Sequence, residues 1–234
     1  MAVQQTRQED GINLAHVSYL PPIPDPGKII CVGLNYRKPY PVDGVAPPNP
    51  SQIILFGKER DTLLGHQQKL ETPAGPAAHS FDFEGEIAVI IGTGGRHITA
   101  DDAMTHVLGY SIFNDGSVRD WQKHSIYAGK NFSGSGSWGP WITTADEIKN
   151  PATMSLTTHL NGQQMQNTTA DQMIYSIAAQ ISYASHLYEL QPGDIIATGS
   201  PDGTGGSRTP KRYLQEGDLL EIAVSGIGLL QNNI

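Results

Sequence analysis

The sequence predicts a mainly β protein of the α+β class, and three observations support this class. Glycine and proline are abundant, with 26 and 16 copies in 234 residues, as in chains with many turns. Short apolar runs recur between these turn residues, which is typical of buried strands. Helical signals are limited to residues 99–108 and 173–187. We therefore expect a sheet-based fold with a few short helices.

The first part of the chain predicts a short N-terminal segment joined to one larger domain. Prolines cluster in residues 21–27, a pattern typical of a linker, so we divide the chain into residues 1–26 and residues 27–234. Residues 39–50 contain five prolines and one glycine, which argues against a helix or the interior of a sheet. We expect a surface loop or lid there.

Strands and turns alternate along the rest of the chain. The predicted strands, in chain order, are residues 28–33, 53–56, 83–91, 109–114, 141–144, 155–160, 219–224 and 226–230. Asn161-Gly162 is the strongest hairpin dipeptide in the sequence and directly follows one of these strands. Thr99 is the expected N-cap of the first helix. Residues 61–75, with hairpin character, and the glycine-rich residues 129–139 are expected to be loops.

Two glutamates stand at the start of the strand predicted at residues 83–91. Glu84 and Glu86 are two residues apart, so they lie on the same face of a pleated strand. Neighbouring carboxylates at the mouth of a buried strand repel each other and lose hydration. A divalent cation that prefers oxygen ligands would relieve both costs. A solvated edge strand whose acids face water explains the spacing equally well.

Asp115 supplies a third candidate ligand, because it follows the predicted strand 109–114 at a turn. The end of a rigid strand is a usual place for a functional side chain, although Asn-Asp-Gly is also typical of an Asp that caps its own loop. Together with Glu84 and Glu86, Asp115 would offer three monodentate oxygens. Water and a bidentate substrate could then complete an octahedron around Mg²⁺ or Mn²⁺.

Composition narrows the class of partner. The formal net charge is −8, with 23 acidic and 15 basic residues, which argues against a nucleic acid or an anionic membrane as the main partner.

Cys31 is the single cysteine and lies in an apolar run, so we expect a buried strand residue without a disulfide. The first ten residues are polar, and no apolar segment reaches membrane-spanning length. These features favour a cytoplasmic location.

Two lysines are candidates for the same site. Lys130 lies in a glycine-rich stretch, where its amine could pair with a substrate carboxylate or stabilise an enolate. Lys58 follows the strand predicted at residues 53–56 and allows the same interpretation. For both, a solvated surface lysine is the simpler alternative. The eight histidines show none of the spacings typical of a zinc site.

Six motifs follow one another over most of the chain. They are Val32-Gly-Leu-Asn-Tyr36, Phe81-Asp-Phe-Glu-Gly-Glu86, Phe113-Asn-Asp115 with Arg119-Asp120, Gly129-Lys-Asn-Phe132, Gly139-Pro-Trp141 and Pro192-Gly-Asp-Ile-Ile-Ala-Thr-Gly-Ser-Pro201. In this order they resemble the fumarylacetoacetate hydrolase family, from about Gly27 to Ser225. The resemblance implies a mixed β-sandwich wrapped into a roll, a homodimer, and a catalytic domain at residues 27–234.

The resemblance also implies a ligand set and a substrate class. The family binds Mg²⁺ or Mn²⁺ through positions that match Glu84, Glu86 and Asp115, and its 2-oxo acids and acylpyruvates chelate the metal. The residues expected to act in catalysis are Lys130, Glu84 and Asp115, and those expected to bind the substrate are Gln122, Ser200, Tyr36 and Arg119. Ser200 stands where threonine is more usual, and Arg119 is expected to be partly structural.

The chain departs from the family pattern after its first motif. Hydrolytic members carry a His and a Glu three residues apart there, on a short lid helix, and this pair activates water. The matching positions hold Pro39 and Val42, and neither side chain can transfer a proton. Hydrolysis by the usual route therefore lacks its base in this chain.

Three hypotheses for the function remain. The first is metal-dependent hydrolysis of the C–C bond of an acylpyruvate, such as maleylpyruvate or fumarylpyruvate, in aromatic or amino-acid catabolism. Lys130 would stabilise the enolate leaving group, with His66, His79 or His124 as the base. The second is decarboxylation or 2-hydroxymuconate-type isomerisation, which also passes through an enolate but needs no activated water. The third is a 2-oxo-acid binding protein without catalysis.

Overall fold

The computed structural model describes residues 13–37 and 49–234 of the chain. The strands are β1 (Ile29–Gly33), β2 (Ile54–Gly57), β3 (Leu63–Leu64), β4 (Phe81–Asp82), β5 (Gly85–Ile91), β6 (Val107–Asn114), β7 (Ser117–Val118), β8 (Gly136–Thr144), β9 (Ser155–Leu160), β10 (Gln163–Thr169), β11 (Ile195–Ala197), β12 (Leu219–Val224) and β13 (Gly228–Asn233). The α-helices are α1 (Arg119–Gln122), α2 (Ile126–Lys130) and α3 (Ile177–Leu187). Short 3₁₀ turns cover Leu14–His16, Arg60–Thr62, Gly75–Ser80, Ala103–His106, Pro151–Thr153, Ala170–Gln172 and Gly205–Ser207.

Two sheets form the body of the described chain. The large sheet has seven strands in the order β2-β1-β11-β5-β6-β8-β3, and the small sheet has four in the order β10-β9-β12-β13. The large sheet is mixed, because β1 and β11 run parallel while β5 runs antiparallel to both β11 and β6. A separate two-stranded ribbon joins β4 and β7. The predicted mainly β class with a few short helices is confirmed.

Strand β5 is buried on both faces, and this explains its continuous apolar sequence. Ile87 and Val89 belong to the core cluster that also contains Leu156 of the small sheet. Ile90 belongs to a second cluster on the opposite face, with Trp138 of β8. Since side chains alternate along a strand, the part of β5 from Ile87 to Ile91 needs an apolar residue at every position. Each fully buried side chain of this size contributes roughly 1.5–3 kcal/mol of transfer free energy.

The small sheet approaches β5 closely at Gly85, the residue between the two glutamates. The Gly85 N–H donates a hydrogen bond to Oε1 of Gln166, at 3.0 Å. A Cβ added at Gly85 would lie 2.3 Å from the Thr158 hydroxyl oxygen and 3.1 Å from Gln166 Oε1. A side chain at this position would therefore push the small sheet away from the strand that carries the carboxylates.

The helix predicted from Thr99 to Leu108 is wrong. The Thr99 hydroxyl does accept a hydrogen bond from the Asp102 N–H, but a 3₁₀ turn, Ala103–His106, replaces the α-helix. Val107 and Leu108 already belong to β6. Pairing of β6 with β5 and β8 on its two edges overrides the local helical preference there.

Two predicted loops also contain regular structure. Residues 61–75 do not form a hairpin, because β3 pairs in parallel with β8. Within residues 129–139, Lys130 ends α2 and Gly136 begins β8. The strands predicted at residues 155–160 and 219–224 are present with the predicted ends, and the other predicted strands and the second helix are present with shifted ends. The lid predicted at residues 39–50 falls mostly outside the described residues, and the domain boundary at residue 27 stays a prediction.

The described helices are too short or too polar to cross a membrane. The longest of them, α3, has eleven residues, against about twenty for a transmembrane span.

Replacing Gly85 with alanine should lower the free energy of unfolding by about 1–3 kcal/mol, because the added methyl group has no free space between β5 and the small sheet. Urea denaturation measures this change. Gly57→Ala at the end of β2 is the control, since nothing lies within 4 Å of a Cβ added there, and it should change stability by less than about 0.5 kcal/mol. Equal stability of the two variants would contradict the close approach at Gly85.

Candidate active site

Three carboxylates converge where β5 begins and β6 ends. Glu86 lies opposite Phe113 in the antiparallel β5–β6 pair, and the Asp115 N–H donates to the Glu84 carbonyl oxygen at 2.9 Å. One carboxylate oxygen from each of Glu84, Glu86 and Asp115 lies within 4.8 Å of the other two. The structure thus brings together the three residues predicted as metal ligands.

The donor set of this cluster suits a hard divalent cation. It consists of carboxylate oxygens only, without sulfur or imidazole, as in Mg²⁺ and Mn²⁺ sites. Glu86 and Asp115 are 1% and 0% exposed, so the solvated edge strand is not what the chain forms. Burial and the neighbouring Asp115 and Glu84 raise the pKa of Glu86 well above its usual value. A bound cation would remove this repulsion, and the residues present therefore fit such an ion.

Lys130 lies against two of the three carboxylates. It is the last residue of α2, which begins with the Ser125 hydroxyl accepting a hydrogen bond from the Ala128 N–H. Its ammonium Nζ lies 2.6 Å from Glu84 Oε2 and 2.6 Å from Asp115 Oδ2. Burial alone would lower the pKa of Lys130. The charges of Asp115 and Glu84 raise it by more than burial lowers it, so the net shift of the pKa is upward. The surface interpretation of Lys130 is therefore wrong, and its side chain is a buried cation.

Lys58, which follows β2, contacts the same cluster through Asp115. Its side chain is fully buried, and Nζ lies 2.9 Å from Asp115 Oδ1. The ammonium also donates to the backbone carbonyl oxygens of Gly116 and Lys130, at 3.1 and 2.5 Å. Burial would raise the pKa of Asp115, but Lys130 and Lys58 hold it below its usual value. Lys58 therefore ties Asp115 and α2 to the large sheet.

Arg119 connects the cluster to a fourth carboxylate, Asp82. Its Nε lies 2.7 Å from Asp82 Oδ2 and its Nη1 lies 2.5 Å from Glu84 Oε1. Asp82 is fully buried and accepts hydrogen bonds from the Gly205 and Gly206 N–H groups, both at 2.8 Å. Burial would raise the pKa of Glu84, but Lys130 and Arg119 lower it below the usual value. Asp82 was not proposed from the sequence, although it lies in the same motif as the two glutamates.

The predicted substrate-binding residues surround one cavity of about 360 Å³, which we call the central cavity. The site residues predicted from the sequence that line it are Tyr36, Glu84, Arg119, Gln122, Lys130 and Ser200. Val32, Ile54, Phe56 and Ile126 contribute an apolar wall. The cavity therefore offers charged groups on one side and an apolar surface on the other, as small-molecule sites usually do.

The histidines proposed as a base do not line this cavity. His66 Nδ1 accepts a hydrogen bond from the Gln231 N–H, and its ring packs edge-on against Tyr19. His79 lies in the 3₁₀ turn Gly75–Ser80, and His124 packs against Trp121. In the described part of the chain, no histidine or cysteine lines the central cavity. Pro39 and Val42 lie outside the described residues.

Comparison with known proteins identifies relatives along nearly the whole chain. Residues 28–234 match the family model of the fumarylacetoacetate (FAA) hydrolase C-terminal domain. The chain is 37% identical over 225 residues to the oxaloacetate tautomerase YisK of Bacillus subtilis, covering 95% of this chain and 74% of that protein. It is 34% identical over 224 residues to the mitochondrial oxaloacetate tautomerase FAHD2A of Bos taurus, covering 94% and 70%.

Solved structures share the fold. A fumarylacetoacetate hydrolase from Exiguobacterium antarcticum superposes with a TM-score of 0.84 at 36% identity, covering 92% of this chain and 77% of that chain. A 5-carboxymethyl-2-hydroxymuconate delta-isomerase from Mycobacterium smegmatis gives 0.81 at 32% identity, covering 94% and 82%. A maleylpyruvate hydrolase from Sphingobium sp. SYK-6, in complex with manganese(II) and pyruvate, gives 0.80 at 31% identity, covering 95% and 75%.

Two variants that each replace a carboxylate with an uncharged amide, Glu86→Gln and Asp115→Asn, should change the stability of the metal-free protein in opposite directions near neutral pH. The pKa of Glu86 is raised by folding, so its charge destabilises the folded state once the pH exceeds the unfolded value. Glu86→Gln should therefore increase the free energy of unfolding, and this gain should shrink as the pH falls and Glu86 takes up a proton. The pKa of Asp115 is lowered, so its charge stabilises the folded state above the unfolded value. Asp115→Asn should lower the free energy of unfolding by about 3–5 kcal/mol, because buried Lys58 loses the carboxylate it pairs with and Lys130 loses one of its two.

Urea denaturation with and without Mn²⁺, after treatment with EDTA, measures both effects. Mn²⁺ at about 100 times its dissociation constant should stabilise the wild type by about 2.7 kcal/mol, and both variants should lose this increment. A Glu86→Gln protein that is as unstable as Asp115→Asn, or that keeps the increment, would contradict the assignment of the cluster as a metal site.

Proposed function

Because the chain belongs to the fumarylacetoacetate hydrolase family, we propose that it is a metal-dependent enzyme that interconverts the keto and enol forms of a 2-oxo acid, with oxaloacetate as the substrate. One observation supports this reaction above the others. Groups that can stabilise an enolate line the central cavity, while no histidine among the described residues lines it to activate water. Keto–enol interconversion moves a proton between carbon and oxygen and needs no attack by water.

The three carboxylates would hold Mg²⁺ or Mn²⁺ at the charged end of the cavity. Such an ion, when bound, polarises the 2-oxo group of the substrate. The charges around it favour an anionic substrate. Four carboxylates, Asp82, Glu84, Glu86 and Asp115, face three cationic side chains, Lys58, Lys130 and Arg119. A divalent cation would turn their net charge of one negative into one positive, which attracts a dicarboxylate.

The chain's own residues would then bind and orient this dicarboxylate. The Lys130 ammonium, held by Glu84 and Asp115 at 2.6 Å, would face the negative charge that develops on the 2-oxo oxygen when a solvent water takes the C3 proton. A proton returned from solvent to that oxygen would complete the enol, so the proton is transferred without net gain or loss. Gln122 and Ser200 line the same cavity and would donate hydrogen bonds to the substrate carboxylates. The apolar wall would contact the carbon chain of the substrate.

Two further findings support tautomerisation. Both curated relatives described above carry the name oxaloacetate tautomerase. The positions that match the water-activating pair of the hydrolases hold Pro39 and Val42, which cannot act as acid or base. Isomerisation of a 2-hydroxymuconate is the same type of proton transfer and belongs to the same proposal.

Hydrolysis of an acylpyruvate is the second candidate. The maleylpyruvate hydrolase from Sphingobium supports it, as does a neighbouring cavity of about 670 Å³ that shares Tyr36, Pro201, Asp202 and Ser207 with the central cavity. This space would accommodate an acyl group. We rank hydrolysis second because no histidine in the described part of the chain lines either cavity.

The wild-type protein with Mn²⁺ should accelerate the conversion of enol to keto oxaloacetate, and EDTA should abolish this effect. Ultraviolet absorbance of the enol, together with malate dehydrogenase as a coupling enzyme for the keto form, follows the reaction. Lys130→Met should lower kcat/KM by about 10²- to 10³-fold, because a preorganised charge opposite the enolate oxygen is lost.

Lys123→Met is the matched control, since the Lys123 side chain is 76% exposed and its ion pair in the described part of the chain is with exposed Asp120. It should leave kcat/KM unchanged. Cleavage of maleylpyruvate or fumarylpyruvate without any effect on enol oxaloacetate would favour the hydrolase. Binding of both substrate classes without turnover of either would favour the non-catalytic binding protein.

A further inference from the structure

Gln166 reaches from the small sheet into the wall of the site. It lies on β10 and is only 1% exposed. Its Oε1 accepts a hydrogen bond from the Gly85 N–H at 3.0 Å. Its Nε2 donates to the Pro201 carbonyl oxygen at 2.9 Å and to the Ser200 hydroxyl oxygen at 2.8 Å. One amide thus joins the strand of the two glutamates to the loop that carries Ser200.

The orientation of this amide is determined by backbone groups that cannot exchange roles. A backbone N–H only donates and a backbone carbonyl only accepts, so the Gly85 N–H requires the oxygen of Gln166 and the Pro201 carbonyl requires its nitrogen. The amide therefore cannot flip without breaking both bonds. With this orientation, the Ser200 oxygen has to accept a hydrogen bond from Gln166.

The Ser200 hydroxyl hydrogen is consequently left for another acceptor. The acceptor recorded for it in the described chain is the Pro201 carbonyl oxygen, at 3.4 Å. This distance is long for an O–H donor, and the same carbonyl already accepts from Gln166. Ser200 is half-buried and lines the central cavity with Arg119 and Lys130. A ligand with an anionic oxygen at this wall would receive the hydroxyl hydrogen.

We propose that Gln166 is a positioning residue that holds the Ser200 hydroxyl as a donor to a carboxylate of the bound 2-oxo acid. The proposal rests on the proposed function for the substrate class, and it assigns Gln166 no contact with the substrate. The side chain acts through Ser200, and its bond to Gly85 fixes it against the strand of Glu84 and Glu86.

A double-mutant cycle between Gln166 and Ser200 tests this role. Oxalate is the probe, because it presents two adjacent carboxylates and does not react, and its dissociation constant is measured by calorimetry on the Mn²⁺-loaded protein. Gln166→Met and Ser200→Ala should each weaken oxalate binding by about tenfold, the loss expected for one hydrogen bond to a charged group. Because both act through the same hydroxyl, the double variant should bind oxalate no more weakly than Ser200→Ala alone.

Three variants control the cycle. Gln164→Met, an exposed glutamine on the same strand, should bind oxalate as the wild type does. Ser200→Thr keeps the hydroxyl and should bind oxalate more tightly than Ser200→Ala, which has none. Gln166→Glu keeps the size of the side chain and an oxygen that accepts from the Gly85 N–H, but it removes the N–H groups that donate to Ser200 and Pro201. It should weaken oxalate binding as much as Gln166→Met does, and it replaces Gln166→Met in the cycle if the methionine variant folds poorly.

Additive losses in the double variant would overturn the proposal, as would unchanged oxalate binding in Gln166→Met or Gln166→Glu. A wild-type protein that binds no oxalate with Mn²⁺ would overturn it as well. If coupling is found but oxaloacetate is not tautomerised, the proposed function fails and the role of Gln166 stands. If oxaloacetate is tautomerised but the double-mutant cycle shows no coupling, the proposed function stands and the role of Gln166 fails.

Discussion

Ion pairs between buried carboxylates and buried lysines hold this site together. Glu84, Glu86 and Asp115 lie within 4.8 Å of one another and largely out of water, where unpaired charges are strongly unfavourable. Lys130 neutralises Glu84 and Asp115 from one side, and Lys58 neutralises Asp115 from the other. Within residues 13–37 and 49–234, Glu86 has no ion pair, and burial together with the charges of Asp115 and Glu84 raises its pKa. The unpaired member of the cluster is where a divalent cation would contribute most.

The two sheets give this cluster its position. The antiparallel β5–β6 pair brings Asp115 beside the glutamates, and the apolar remainder of β5 anchors the strand between two core clusters. Gly85 has no side chain, so the small sheet can lie close to β5 there. Gln166 of the small sheet then hydrogen-bonds both to Gly85 and to Ser200 in the loop after β11. The carboxylate cluster and the cavity wall that carries Ser200 are thereby connected through one side chain that belongs to the small sheet.

The sequence predicts those parts of the site that depend on local spacing. The i, i+2 glutamates, the apolar run after them and Asp115 at a strand end all follow from the period of a strand. The burial of Lys58 and Lys130 could not be predicted, because it depends on carboxylates far away in the chain. Gln166 has the appearance of an ordinary polar residue in a hairpin strand, and its partners lie 81 and 34 residues away. The helix expected at Thr99 is wrong because Val107 and Leu108 belong to β6, which pairs within the large sheet.

The most direct test of the site is an anomalous diffraction map from crystals soaked with Mn²⁺ and oxalate. The charge balance predicts one manganese peak bonded to an oxygen of each of Glu84, Glu86 and Asp115, with oxalate completing its coordination beside Lys130. A manganese peak elsewhere, or one at this cluster that leaves Glu86 uncoordinated, would contradict the view that the buried carboxylates are built around a divalent cation.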